Sequence, residues 1–178
     1  MHLKNSRDRY GLVSVTFHWA SAVMAAGLFG SGLWMAGLSY ADSWYHSAPA
    51  MHKAAGLVFV AVVLARLAWK GLQQRPEEIG TPSERMLARA VHGLLYALLA
   101  TLFLSGYLVA TARGHGIDVF GLFTVPAVAA IGRNVSIAGS IHLWAAWTLA
   151  ALTAVHAAGA LKHHFIHRDR VLVRMLGR

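Results

Sequence analysis

Four stretches of this chain are apolar for long enough to cross a bilayer, at about 12–38, 49–72, 82–111 and 138–165. The hydrocarbon layer needs about 20 residues of helix, and backbone inside it must satisfy its own hydrogen bonds, so each stretch is expected to be a transmembrane helix. The apolar residues fill these blocks instead of forming one-sided stripes, and only 13% of the chain is charged against 57% hydrophobic. A soluble domain needs a far more charged surface. The expected fold is all-α, an integral membrane four-helix bundle. Residues 1–178 make one unit, without internal repeat or soluble domain.

Cysteine is absent, which excludes disulfides, thiolate metal sites, iron–sulfur clusters and covalent haem attachment. The net charge of +9 in so apolar a chain points to loops beside anionic lipid, not to nucleic acid. The amino end, MHLKNSRDRYG, resembles the basic region of a signal peptide, but the apolar segment from Leu12 to Leu38 is about twice too long for one. It is expected to be retained as the first helix.

Punctuation between the helices is legible. Trp34, Trp44 and Tyr45 mark a membrane interface, Ser47 is placed to cap the second helix, and Pro49 suits its first turn. Thr81-Pro82-Ser83-Glu84 has the form of a capping box opening the third helix. The stretch from Ala112 to Val135 carries the apolar run Val119-Phe120-Gly121-Leu122-Phe123 and is expected to hold a short interfacial helix.

Thirteen of the sixteen Lys and Arg residues fall on one side if the amino terminus, the 70–89 loop and the carboxy-terminal tail share it with Arg66 near it; Lys53, Arg113 and Arg133 take the other. The positive-inside rule then makes both termini cytoplasmic.

Histidines inside the apolar blocks carry the chemistry, because polar side chains are costly there. His142 and His156 are fourteen residues apart in the last block, within roughly 40° of whole turns and about 21 Å apart along a helix axis. Small neighbours leave room for a large flat group. By depth, His52 and His142 lie near the outer side, while His18, His92 and His156 lie near the inner side. Facing imidazoles at matched heights are what a haem iron with two axial ligands requires, so two levels imply two haems held without covalent attachment. His18 is preferred over His92 as partner of His156, since Leu95 and Tyr96 follow His92 on its own face. His92 remains a structural hydrogen-bonding group or a support to a ligand.

Arg66 shares the face of His52, and beyond Glu84 of the capping box the other helices carry no carboxylate to partner it; a haem propionate would supply one. His163 shares the face of His156 near the cytoplasmic boundary, where an imidazole can serve a quinone headgroup as hydrogen-bond partner or proton donor. On the outer side Lys53 and Arg113 form a weak attractant for a small anion.

These residues carry a family resemblance along essentially the whole chain: R-Y before the first helix, T-F-H-W around His18, M-H-K-A-A-G around His52, Arg66, F-G-L-F-T-V-P, and H-x13-H leading into HAAGALKHHF. The chain resembles the bacterial cytochrome b561 family of small di-haem membrane cytochromes, its superoxide-oxidising branch in particular. The resemblance implies that the two haems are haem b, ligated by His18 with His156 and by His52 with His142. It further implies oxidation of superoxide on the outer side of the bacterial inner membrane and reduction of ubiquinone. The alternative it leaves open is an electron-transfer and anchor subunit of a larger dehydrogenase or hydrogenase.

Overall fold

The computed structural model describes residues 2–128 and 132–177, with the side chain of Arg133 outside that description. Four long helices form: α1 (Leu12–Ala36), α2 (Ser47–Leu72), α3 (Pro82–Thr111) and α4 (Val135–Lys162). All four are long and apolar enough to cross a membrane. α1 stops at Gly37, whose N–H bonds the Trp34 carbonyl at 3.1 Å. α3 begins on the expected capping box: Thr81 Oγ1 accepts from the Glu84 N–H at 3.3 Å, and Glu84 Oε2 accepts from the Thr81 N–H at 3.0 Å. Satisfying two orphan donors at a helix start stabilises it by about 1 kcal/mol.

Two boundaries differ from expectation. α2 starts at Ser47, two residues early, with His46 as the residue before it and no side-chain cap; Ser47 lies inside the helix and does not cap it. α4 starts at Val135, three residues early, and continues past Lys162 as a wider π turn over His163–His167. A short helix α5 (Val171–Met175) follows, and its Met175 carbonyl accepts from Trp19 Nε1 at 2.8 Å.

The expected interfacial helix before α4 is replaced, among the described residues, by a β-hairpin. Strand β1 (Ile117–Val119) pairs antiparallel with β2 (Phe123–Val125). Ile117 and Val119 are buried while Asp118 between them is exposed, the period of two that a half-buried strand demands. Phe120 and Gly121 both take the left-handed conformation, with φ of 54° and 73°, which closes a tight hairpin whose twist matches its strands. Glycine accepts that conformation freely; Phe120 does not.

α1 packs chiefly on α2 and α3 on α4, and contact between the two pairs is sparser. Where the pairs meet, Phe59, Val63 and Leu99 are buried and draw in Met24, Leu28, Phe103 and Leu149. Phe59 lies seven residues from both His52 and Arg66, and Leu149 seven from both His142 and His156, so this core stands about 10 Å from each histidine level. Large apolar side chains elsewhere point outward, Leu64 60% and Trp144 71% exposed. In lipid such exposure costs nothing, because the solvent is as apolar as the side chain.

Candidate functional site

The histidines meet in pairs across the helices. On one side of the apolar core His18 of α1 faces His156 of α4, with ring centroids 6.2 Å apart. On the other side His52 of α2 faces His142 of α4 at 6.5 Å. His92 of α3 is edge-on to His156 at 5.0 Å.

Hydrogen bonds orient the His52 and His142 rings. His142 Nδ1 lies 3.2 Å from the Leu102 carbonyl, which can only accept, so Nδ1 carries the proton and Nε2 keeps its lone pair. Ser105 Oγ lies 3.2 Å from the same nitrogen and donates its own hydrogen to the Thr101 carbonyl at 2.6 Å. His52 repeats this arrangement. Ser31 Oγ donates to the Leu28 carbonyl at 3.1 Å and so accepts from His52 Nδ1 at 3.0 Å. A glycine seats the His142 ring: a Cβ on Gly106 would stand 2.9 Å from His142 Cε1, whereas one on Gly32 would meet His52 Cε1 at 3.4 Å, an ordinary contact.

Around His18 the polarity is reversed. Arg66 Nη2 donates to His18 Nδ1 at 3.1 Å, so this ring holds its proton on Nε2. The Arg66 guanidinium also lies 5.7 Å from the Tyr96 ring centre, and Lys70 Nζ 5.1 Å from it. Two cations thus collect beside this pair with no carboxylate bonded to either among the described residues.

Beyond His156, His163 Nδ1 meets Asp169 Oδ2 at 2.5 Å. Burial would raise the Asp169 carboxyl, but hydrogen bonds from the Val171 N–H and the His163 ring outweigh it and hold the group below the ordinary carboxylate range. At the opposite end Lys53 and Arg113 are both exposed, and no ion pair engages either among the described residues.

A family profile described as prokaryotic cytochrome b561 matches residues 9–178. The chain is 44% identical to cytochrome b561 homolog 2 of Escherichia coli, over all of this chain and 96% of that one. It belongs to the prokaryotic cytochrome b561 family. The chain is similar at lower identity to cytochrome b562 of Cereibacter sphaeroides, 28% over 94% of each chain. It is also 26% identical to the probable superoxide oxidase CybB of Yersinia pestis, over 71% of this chain and 73% of that one. Membership makes it a bacterial membrane cytochrome that transfers electrons with haem b.

The residues suit such a group. An iron with two axial imidazoles, about 2 Å from each nitrogen with each ring centre about 1.1 Å beyond, separates the ring centres by about 6.2 Å. The two facing pairs have 6.2 and 6.5 Å; the 5.0 Å between His92 and His156 is too short. At the His52 level both Nε2 atoms are available as ligands. At the His18 level Arg66 has to leave Nδ1 before Nε2 can offer its lone pair.

Sequence reasoning missed Ser31, Gly32, Ser105 and Gly106. Their only trace in the sequence is that the same Ser-Gly dipeptide occurs once in α1 and once in α3, each serine placing its hydroxyl at a ring nitrogen.

Proposed function

We propose that this protein oxidises superoxide at one face of the bacterial inner membrane and delivers the electrons to ubiquinone near the other. The reading carries two haems b, held by His52 with His142 and by His18 with His156. Two haems, when bound, supply one-electron carriers enough to hold the pair that a quinone takes up. The balance is two superoxide anions and one quinone with two protons, giving two dioxygen and one quinol. Both termini are cytoplasmic, and residues 1–178 act as one membrane unit.

The observation that carries the reading is the pairing of imidazoles at two levels separated by a packed core, with α4 common to both. Ser31 and Ser105 hold the outer rings with Nε2 bare, so these ligands need no proton rearrangement. At the inner level His18 and His156 would hold the group, and Arg66, which now donates to His18 Nδ1 at 3.1 Å, would pair with an anionic propionate of it, since charge-assisted pairing favours that exchange. Lys53, one residue from His52, and Arg113 raise the local concentration of a small anion by electrostatic attraction. His163, fixed through Nδ1 by Asp169, offers Nε2 to a quinone headgroup and can move a proton to it.

One observation favours the carrier and anchor reading. The relative whose name includes superoxide oxidase is only 26% identical, whereas the one at 44% is named only as a cytochrome b561 homolog. Adding superoxide to the purified, haem-loaded protein with a soluble ubiquinone analogue separates the two. Haem reduction with quinol formation supports the proposal; haem that stays oxidised under superoxide yet is reducible by dithionite refutes it and leaves the carrier.

A further inference from the structure

Away from the haem levels, a second cluster of ligand-bearing side chains joins the start of α3 to the end of α4. One donor atom each from Glu84, His163 and His167 lies within 4.8 Å of the others. We infer that this cluster binds a divalent ion of the zinc class.

The donor set is chemically selective. Two imidazoles and one carboxylate are ligands that Zn²⁺ takes at about 2.0–2.2 Å, whereas Ca²⁺ and Mg²⁺ prefer oxygen alone. Around a tetrahedral ion such atoms stand about 3.4 Å apart, so the cluster has to contract by roughly an ångström. The exposed His167 side chain can supply that movement. The other two ligands are already held. Asp169 binds His163 Nδ1 at 2.5 Å and is itself fixed by the Val171 N–H at 3.0 Å, leaving His163 Nε2 as the ligand. A carboxylate behind a metal-binding histidine fixes its tautomer and ring orientation. Glu84 spends Oε2 on the helix cap, accepting from Thr81 N and Oγ1 at 3.0 Å each. Its Oε1 remains, 3.7 Å from His167 Nδ1.

The backbone is shaped for this as well. The two histidines bracket the π turn that ends α4, and their ring centres are 5.0 Å apart. Single π turns occur preferentially at functional sites. Lys162 Nζ now sits 3.3 Å from Glu84 Oε1, on a half-exposed side chain. A cation already sits at this oxygen, and a dication bound by two further ligands displaces the lysine to water.

An ion here takes the nitrogen that the proposed quinone contact uses. Resting on that reading, zinc is expected to block quinol formation while leaving haem reduction intact.

The test uses the haem-loaded chain without a histidine tag, in competition with a chromogenic zinc chelator. One zinc per chain is expected. Asp169→Asn, which leaves all three ligands in place, and His167→Ala should each weaken binding about tenfold or more; His46→Ala, at the far end of the bundle, should not change it. Haem spectra and circular dichroism establish that the variants are folded. No saturable binding, or binding unchanged in His167→Ala, overturns the site. Saturable binding with undiminished quinol formation overturns the inhibitory role and leaves the site standing.

Discussion

Replacing Gly106 with alanine measures how closely the His52–His142 pair is built. The new Cβ would stand 2.9 Å from His142 Cε1 and 3.2 Å from its Nδ1, where carbon atoms in ordinary contact keep about 3.5–4.0 Å. The ring must therefore retreat by more than about half an ångström. It is not free to do so, since Ser105 and the Leu102 carbonyl each hold Nδ1 at 3.2 Å. Overpacking of this kind costs about 1–3 kcal/mol, which at 1.4 kcal/mol per tenfold weakens haem affinity at that level by about 5- to 140-fold. Gly32→Ala is the control, because its Cβ meets His52 Cε1 at 3.4 Å, an ordinary contact. The assay is haem per chain from the pyridine haemochrome spectrum of detergent-purified protein, with a redox titration to separate the components. Gly106→Ala should fall toward one haem per chain while Gly32→Ala keeps two. Full occupancy and an unchanged titration in Gly106→Ala would refute the claim that this glycine seats the ligand ring.

Three further perturbations address the other elements. His52→Ala or His142→Ala should remove one haem and leave the other, and His92→Ala should leave both; loss of both haems from a protein that stays helical would contradict independent levels. Arg66→Gln should keep the inner haem but lower its midpoint potential: a cation about 8 Å away at an effective dielectric of about 20 contributes about 2 kcal/mol, roughly 90 mV for one electron, reduced by screening to tens of millivolts. An unchanged potential would place Arg66 away from the haem. The Asp42 carboxyl is held below its ordinary range by the Ser39 N–H at 2.7 Å and then by the Ser39 hydroxyl at 2.9 Å. Because the folded value is the lower one, the support it gives the α1–α2 turn is complete above about pH 4 and is lost as pH falls through that lower value. Asp42→Asn should speed exchange of the Ser39 amide at neutral pH and abolish the acid-side change; equal exchange in both proteins would show that the carboxylate contributes nothing.

The helices were legible because a hydrocarbon solvent demands length and apolarity together, and few other structures can satisfy it. The α3 start was legible because Thr81 to Glu84 solves a local hydrogen-bonding problem with local residues. The stretch after α3 was misjudged because its apolar run is short, and short apolar runs do not distinguish strand from helix. Phe120 at φ 54° concealed the turn further, since an aromatic residue is not expected there.

The histidine pairs were legible for a different reason, and only in part. Spacing along α4 places His142 and His156 on one face whatever the neighbours do, so helical geometry alone gives two levels. Which residues support the rings depends on how α1 meets α2 and α3 meets α4, and that is decided by packing. Serine and glycine in an apolar helix most often serve close helix approach, so Ser31-Gly32 and Ser105-Gly106 carried no distinctive signal singly. Their equivalence appears only when each serine is seen against a ring, its hydroxyl on Nδ1. The inner level has no such pair and has Arg66 instead. The two levels are therefore built on different physics: neutral hydrogen bonds orient the His52 and His142 rings, while the Arg66 guanidinium holds His18. Perturbing Ser31 or Ser105 should accordingly alter haem occupancy at the outer level, and perturbing Arg66 the potential at the inner one.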